Sequence, residues 1–247
     1  MPVKRQITEP DGVYFITFTC SQWLPLIEQT NSYDLVYNWF NHLKGNGHYI
    51  AGYVIMPNHL HALIAFRNTT QSINTIVGNG KRFMAYEIIK RLKQQKDEKL
   101  LHRLHLLVEA KDKERNKKHE VWEDSFDWKE CRTNVYMLQK LNYTHDNPCK
   151  GKWNLAAAPV DYEHSSAKYY ITGEQGIYEV LNYCELADIN LTIPLEKNAG
   201  PACRQRQVHS QHTGPGVRHR LRSCRFGKPG REEGIDQTNY IETNPAK

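Results

Sequence analysis

Residues 59–61 read His-Leu-His within an apolar, β-prone stretch, Tyr53-Val54-Ile55-Met56-Pro57-Asn58-His59-Leu60-His61-Ala62-Leu63-Ile64-Ala65-Phe66. On a strand, residues i and i+2 point to the same face. His59 and His61 therefore project together, about 6–7 Å apart along the chain, while Leu60, Ala62 and Ile64 face the other way. Two imidazoles so placed can converge on one divalent cation if a third ligand comes from elsewhere. The plainer alternative is a pair of polar residues on a half-exposed strand, since His-x-His alone is a common pattern.

A second group of chemically useful residues lies far downstream. On a helix, Tyr143 and Asn147 are one turn apart and share a face. Tyr136 and Lys140 extend that stripe, opposite an expected packing face of Val135, Leu138 and Leu141. A tyrosine phenol, with an ordinary pKa of about 10, is a poor nucleophile. A metal that polarises a phosphodiester oxygen offsets the charge developing on phosphorus and makes attack feasible. Two histidines, the Asn147 amide oxygen and Tyr143 would compose such a site. The alternatives are an aromatic packing or capping role for Tyr143 and a helix-terminating role for Asn147 before Pro148.

These residues need a scaffold. Val13–Thr19 is β-branched and aromatic without a breaker and reads as a central strand. Ser32 is placed to cap a helix running to about Leu43, with Leu35, Val36, Trp39, Phe40 and Leu43 at helical spacing. Residues 48–56 and 59–66 read as strands whose short Pro57-Asn58 link requires a hairpin. A long basic-flanked helix follows, with a break expected at Gly78-Asn79-Gly80. Residues 93–118 are charge-rich, and a short strand is expected at 120–123. A helix from about 130 to 146 ends before Pro148, and a short closing helix is expected within 176–186. The order β-α-β-β-α-β-α predicts an α+β fold, the ferredoxin-like split βαβ arrangement: an antiparallel sheet, helices on one face, and an additional C-terminal catalytic helix.

Against this background the chain resembles the IS200-like tyrosine transposases, and more closely the REP-associated tyrosine transposases. Residues 54–64 resemble the family's HUH motif, and Lys81-Arg82-Phe83 its second-helix signature. Val121-Trp122-Glu123-Asp124-Ser125-Phe126-Asp127 is similar to the tryptophan strand, and Tyr143-Thr144-His145-Asp146-Asn147-Pro148 to the end of the catalytic helix. Asp161-Tyr162-Glu163-His164-Ser165-Ser166-Ala167 resembles a further family segment. The match runs from about Val13 to Tyr170 with these landmarks in order.

The resemblance implies a transposase-type endonuclease and strand transferase that cleaves single-stranded, hairpin-containing DNA. Tyr143 would form a 5′-phosphotyrosine, and His59, His61 and Asn147 would hold Mg²⁺ or Mn²⁺. Lys81, Arg82 and Lys140 would contact DNA. REP-like or insertion-sequence hairpins are the implied partners, and a homodimer is compatible because some members share active sites between copies. Imidazoles are not the preferred ligands of Mg²⁺, which favours Mn²⁺ as the better activator. The alternative is a domesticated hairpin-binding protein on the same fold. An RNA-binding sheet protein fits the element order, but the first strands lack its aromatic signature.

Composition narrows the remaining possibilities. The 247 residues suit one sizeable domain, expected over 1–196, followed by a basic, disordered tail over 197–247. Nine Lys and Arg against four Asp and Glu in 201–247 place five of the six net positive charges there, as suits a phosphate backbone. No apolar run approaches a membrane span, and the first residues lack a signal-peptide core. Six cysteines, Cys20, Cys131, Cys149, Cys184, Cys203 and Cys224, are scattered without a C-x-x-C pair. That spacing argues against a zinc ribbon or a secreted disulfide framework and for a reducing, cytoplasmic setting.

Overall fold

A strand as apolar as His59–Phe66 has to be covered on both sides, since either exposed face would leave hydrocarbon in water. In the computed structural model, which describes residues 6–151 and 153–194, all eight of its residues are buried. In chain order the elements are β1 (Gly12–Thr19), α1 (Leu26–Gln29), α2 (Tyr33–Gly45), β2 (Tyr49–Ile55), β3 (His59–Phe66), α3 (Ile73–Gln94), α4 (Glu98–Leu106), α5 (Ala110–Lys113), β4 (Asp127–Glu130), α6 (Asn134–Asp146) and α7 (Ala167–Thr172).

The strands form one antiparallel sheet in the order β2-β3-β1-β4. The fold is α+β with the split βαβ order, and the histidine-bearing strand is central as expected. Register places Thr17 and Val54 on either side of His61. Phe15, Thr17, Gly52, Val54, His59 and His61 thus share one face, and Tyr14, Ile16, Phe18, Tyr53, Leu60 and Ala62 share the other. Helices α2 and α3 cover the second face, where Phe18 meets Trp39 at 5.8 Å and Phe40 meets Tyr53 at 5.5 Å between ring centroids. Helix α6 crosses the first face over β2 and β3.

A bulge in β2 sets that crossing. The pairing of β2 with β3 shifts between Ile50 and Gly52, leaving Ala51 over. The Tyr170 hydroxyl donates to the freed Ala51 carbonyl at 2.6 Å, and the Leu181 amide donates to Ile50 O at 2.9 Å. Gly52 then lies under α6, where an added Cβ would stand 2.2 Å from Leu141 Cδ2.

Four expectations need correction. Helix α3 runs unbroken through Gly78-Asn79-Gly80; Gly80 allows close passage of Trp39, whose Nε1 would be 2.3 Å from a Cβ there. The fourth strand is Asp127–Glu130, whereas Trp122 makes only an isolated bridge to Cys20. Val135 is 81% exposed; α6 packs through Met137, Leu141, Thr144 and His145. The closing segment is a 3-10 helix at Tyr183–Asp188 rather than a helix within 176–186. The expected tail lies outside the described residues. Among the described residues, no helix is long and apolar enough to cross a membrane.

Candidate active site

The Pro57-Asn58 link is a support for the histidines as well as a turn. Met56 N donates to His59 O at 2.8 Å, closing the hairpin, and Pro57 O accepts from Ile27 N and Glu28 N in the first turn of α1. Asn58 is fully buried, and its Nδ2 donates to Trp23 O at 3.1 Å. That fixes Asn58 Oδ1 as the acceptor for His59 Nδ1, 2.7 Å away. His59 therefore carries its proton on Nδ1 and a lone pair on Nε2. His61 is held by Thr17, whose Oγ1 lies 2.6 Å from His61 Nδ1. The two imidazole centroids are 4.7 Å apart.

Both rings are neutral near pH 7. Burial lowers the His59 pKa to about 4, against a smaller opposing effect of the Asn147 contact. Burial, then the His59 and Lys140 charges, holds His61 well below the ordinary imidazole range. Neutral imidazole is the form that ligates a cation.

Helix α6 brings the second group to the same place. Thr133 caps it by accepting from Tyr136 N at 3.2 Å. Its last turn is tied down by His145, whose Nε2 lies 2.9 Å from Ser166 Oγ; that hydroxyl also accepts from Tyr53 N at 2.9 Å. The 162–166 segment is itself bound to β2, with Tyr162 Oη donating to Ile55 O at 2.8 Å and Ile55 N to His164 O at 2.9 Å. The end of the helix is thus located against the sheet.

The outcome is a convergence of three elements. Asn147 Oδ1 lies 3.2 Å from His59 Nε2. The Tyr143 ring stands 5.3 Å from His61 and 6.1 Å from Phe15, and the residue is 53% exposed, open to a macromolecular substrate. Lys140 Nζ lies 5.2 Å from the rings of Phe15 and Tyr136 and 5.9 Å from that of Tyr143. Its cation is held by aromatic faces, with no carboxylate ion pair among the described residues.

The donor set fits a divalent cation. With its Nδ1 protonated, His59 offers a lone pair toward Asn147, and an amide oxygen offers another. Two such atoms 3.2 Å apart repel unless a cation serves both or the amide turns its NH₂ inward. Two imidazole nitrogens and an amide oxygen make a borderline set suited to Mn²⁺ or a similar ion. A separate carboxylate cluster, Asp112, Glu120 and Asp124, already contains the ammonium of Lys117, paired with Asp112 and Glu120. That ammonium supplies its counter-charge.

The expected DNA contacts divide. Lys81 is buried, and its Nζ donates to Glu123 O at 2.9 Å and Ser125 O at 2.8 Å. It clamps the segment that follows Trp122, a structural role, and it also borders the groove that Arg82 lines. Arg82 is exposed and stacks over Phe83 at 5.3 Å. It lines a groove of about 900 Å³ between α3 and residues 115–124, along with Tyr86, Lys90, Lys93, Arg115 and Lys118. Arg82, Lys93, Arg115 and Lys118 form no ion pair among the described residues, and basic side chains outnumber the Glu120, Glu123 and Asp124 carboxylates that also line the groove.

Thr17, the orienting role of Asn58, His145 and Trp23 were not singled out by sequence. Asn58 carried a signal, since an Asn just before a ligand-spaced His can fix its tautomer. Thr17 carried none until register placed it opposite His61.

No family model matches the chain, and no curated protein matches it. Among solved structures, the chain is similar to a REP-associated tyrosine transposase bound to a REP hairpin, at 15% identity and a TM-score of 0.47. That similarity covers 79% of this chain and 99% of the other. It is also similar to a protein from Deinococcus radiodurans R1 provisionally assigned as a transposase, at 13% identity and a TM-score of 0.35, over 58% of this chain and 95% of that one.

Proposed function

We propose that this chain is a metal-dependent DNA transesterase of the tyrosine-transposase kind, cleaving and rejoining single-stranded, hairpin-containing DNA. One observation carries the reading: both histidines use Nδ1 on a fixed partner, and their rings meet Asn147 and Tyr143 of a distant helix. A structural His pair would need no such convergence with an exposed phenol.

His59, His61 and Asn147 would hold the ion. When bound, it supplies Lewis-acid stabilisation of charge developing on the phosphodiester oxygens. Thr17 and Asn58 hold the imidazoles in orientation. Tyr143 supplies the nucleophile: its Oη gives up its proton to solvent and forms a bond to phosphorus as the bond from phosphorus to the 3′ oxygen breaks, and that oxygen takes up a proton from solvent. The products are a 5′-phosphotyrosine and a free 3′-hydroxyl. Another 3′-hydroxyl reverses the step and joins strands, so no nucleotide energy source is required. Lys140 places a cation beside the nucleophile and favours the approach of a phosphate. Arg82 and the groove it lines provide sequence-independent attraction for the backbone.

The test is a single-stranded, 3′-labelled oligonucleotide carrying the hairpins that flank the coding region, incubated with Mn²⁺. The expected product is a covalent protein–DNA adduct that Tyr143→Phe abolishes while binding stays within about tenfold. Cleavage by Tyr143→Phe refutes the assignment. Binding without any adduct favours the hairpin-binding alternative.

A further inference from the structure

Besides Tyr143, Trp23 is a large aromatic beside the histidine pair that is left in water. It is 54% exposed, whereas Trp39 and Trp122 are buried. Its ring centroid lies 5.8 Å from that of His59, at 67°. The backbone beneath it is left-handed at two successive residues, Gln22 (φ 53°) and Trp23 (φ 56°). Neither is a glycine, and such conformations persist only where surrounding contacts impose them.

Those contacts are present. Trp23 N donates to Cys20 O at 3.0 Å, and Gln22 N donates to Glu123 Oε1 at 2.8 Å. Arg103 donates through Nε and Nη2 to Gln22 Oε1. Asn58 Nδ2 donates to Trp23 O at 3.1 Å, and the same amide fixes the His59 tautomer. One buried side chain therefore holds both the imidazole and the main chain that carries the indole. Core packing does not account for this, since an indole placed for packing would not be left half in water. A strained turn that presents it beside a candidate ligand has a use if something planar lies on it.

We propose that Trp23 is a stacking platform for the nucleobase adjacent to the phosphate held at His59 and His61, and so a positioning residue for the strand. The proposal rests on the reading of the site as one that handles single-stranded DNA. Every base has a π-face, so stacking would be sequence-tolerant. It would hold the strand unstacked beside the ion and bring one phosphate within reach of Tyr143.

The experiment separates this proposal from the nuclease reading by using a Tyr143→Phe background and EDTA, so that no cleavage is involved. The full chain is titrated with a hairpin-containing single-stranded oligonucleotide, and anisotropy and tryptophan fluorescence are followed. Trp23→Ala is expected to weaken binding by about tenfold, Trp23→Phe to restore it to within about threefold, and Trp23→Leu to remain weak. DNA-induced quenching is expected to fall in Trp23→Phe even though affinity is kept. With Tyr143 and Mn²⁺ restored, Trp23→Ala is expected to raise KM and also lower kcat.

Wild-type affinity in Trp23→Ala overturns the proposal. So does equal weakening in all three variants, which would mean that shape rather than stacking is lost. A change in oligomeric state without a change in DNA affinity also overturns it, and assigns Trp23 to contact between copies. Loss of quenching together with absence of any adduct in the parent chain leaves the platform standing and removes the nuclease reading.

Discussion

Gly52 offers a direct test of whether α6 sets the reaction geometry. A methyl there would stand 2.2 Å from Leu141 Cδ2, where ordinary van der Waals contact begins at 3.4 Å, and 3.4 Å from Ser166 Oγ. Leu141 is fully buried, so its end cannot swing out into solvent. In Gly52→Ala the contact must open by about 1.2 Å, through a turn of the Leu141 side chain, a parting of helix and strand, or both. Overpacking of this kind costs about 1–3 kcal/mol, within the ~5–15 kcal/mol stability of a typical domain, so the variant is expected to fold with a lowered Tm. To the extent that α6 moves, Tyr143 and Asn147 ride with it while His59 and His61 stay in the sheet. A misplacement of about 1 Å costs roughly 10²-fold in rate.

The expected result is therefore about 10²-fold slower adduct formation with DNA affinity unchanged. Leu141→Ala alone costs about 2–5 kcal/mol through the cavity it leaves. In the double variant the two changes compensate, with a favourable coupling of about 0.5–3 kcal/mol and partial recovery of rate. Adduct formation by Gly52→Ala within a few-fold of the parent, at a measurably lower Tm, refutes the reasoning. It would mean that the position of α6 does not control the nucleophile.

Other perturbations follow from the same structure. Asn58→Ala and Thr17→Val remove the partners of the imidazole Nδ1 atoms and should weaken Mn²⁺ binding by roughly 10–100-fold, measured by titration calorimetry; unchanged affinity would separate the histidines from the ion. Lys81→Met should lower stability by about 2 kcal/mol, because two buried carbonyls lose a charged donor, while leaving DNA affinity in place. Arg82→Ala should reduce the slope of log affinity against log salt by about one; if Lys81 rather than Arg82 moves the slope, the assignments are reversed. His48 is buried, accepts from Arg67 N at 3.0 Å, and has its pKa lowered to about 4. Its protonated form is disfavoured in the folded state, so its stabilising effect is full above the ordinary pKa of about 6.5 and is lost as pH falls toward 4. Between pH 7 and 5 this amounts to about 2 kcal/mol. His48→Gln should show a correspondingly smaller acid loss in urea unfolding; an equal loss in both would remove His48 as the cause.

Much of the scaffold was legible because its signals are local. The alternation through His59-Leu60-His61-Ala62 placed two imidazoles on one face, and the element order placed that strand in the centre. The helical spacing of Tyr143 and Asn147 put them on one stripe, and the structure brings that stripe to the histidines. Other features depend on distant pairing. Thr17 meets His61 only through the register of β1 with β3. Val135 was misread because α6 rests on Thr144 and His145 as well as on Leu141, so its apolar residues do not mark its buried face. Lys81 was expected at DNA from its place in the Lys81-Arg82-Phe83 signature, and nothing local showed that a loop would bury it and supply carbonyl acceptors. The strain at Gln22 and Trp23 has no sequence signature, since neither residue type announces a left-handed turn.

The outer rim of β2 is occupied along much of its length by its own chain. Ser166 N donates to Tyr53 O, Ile55 N to His164 O, and Leu181 N to Ile50 O. An intruding strand would find few free main-chain groups there, so the molecule is protected on that side against edge-to-edge aggregation. Two copies wishing to share a continuous sheet would have to meet through Asp127–Glu130, which offers only four residues.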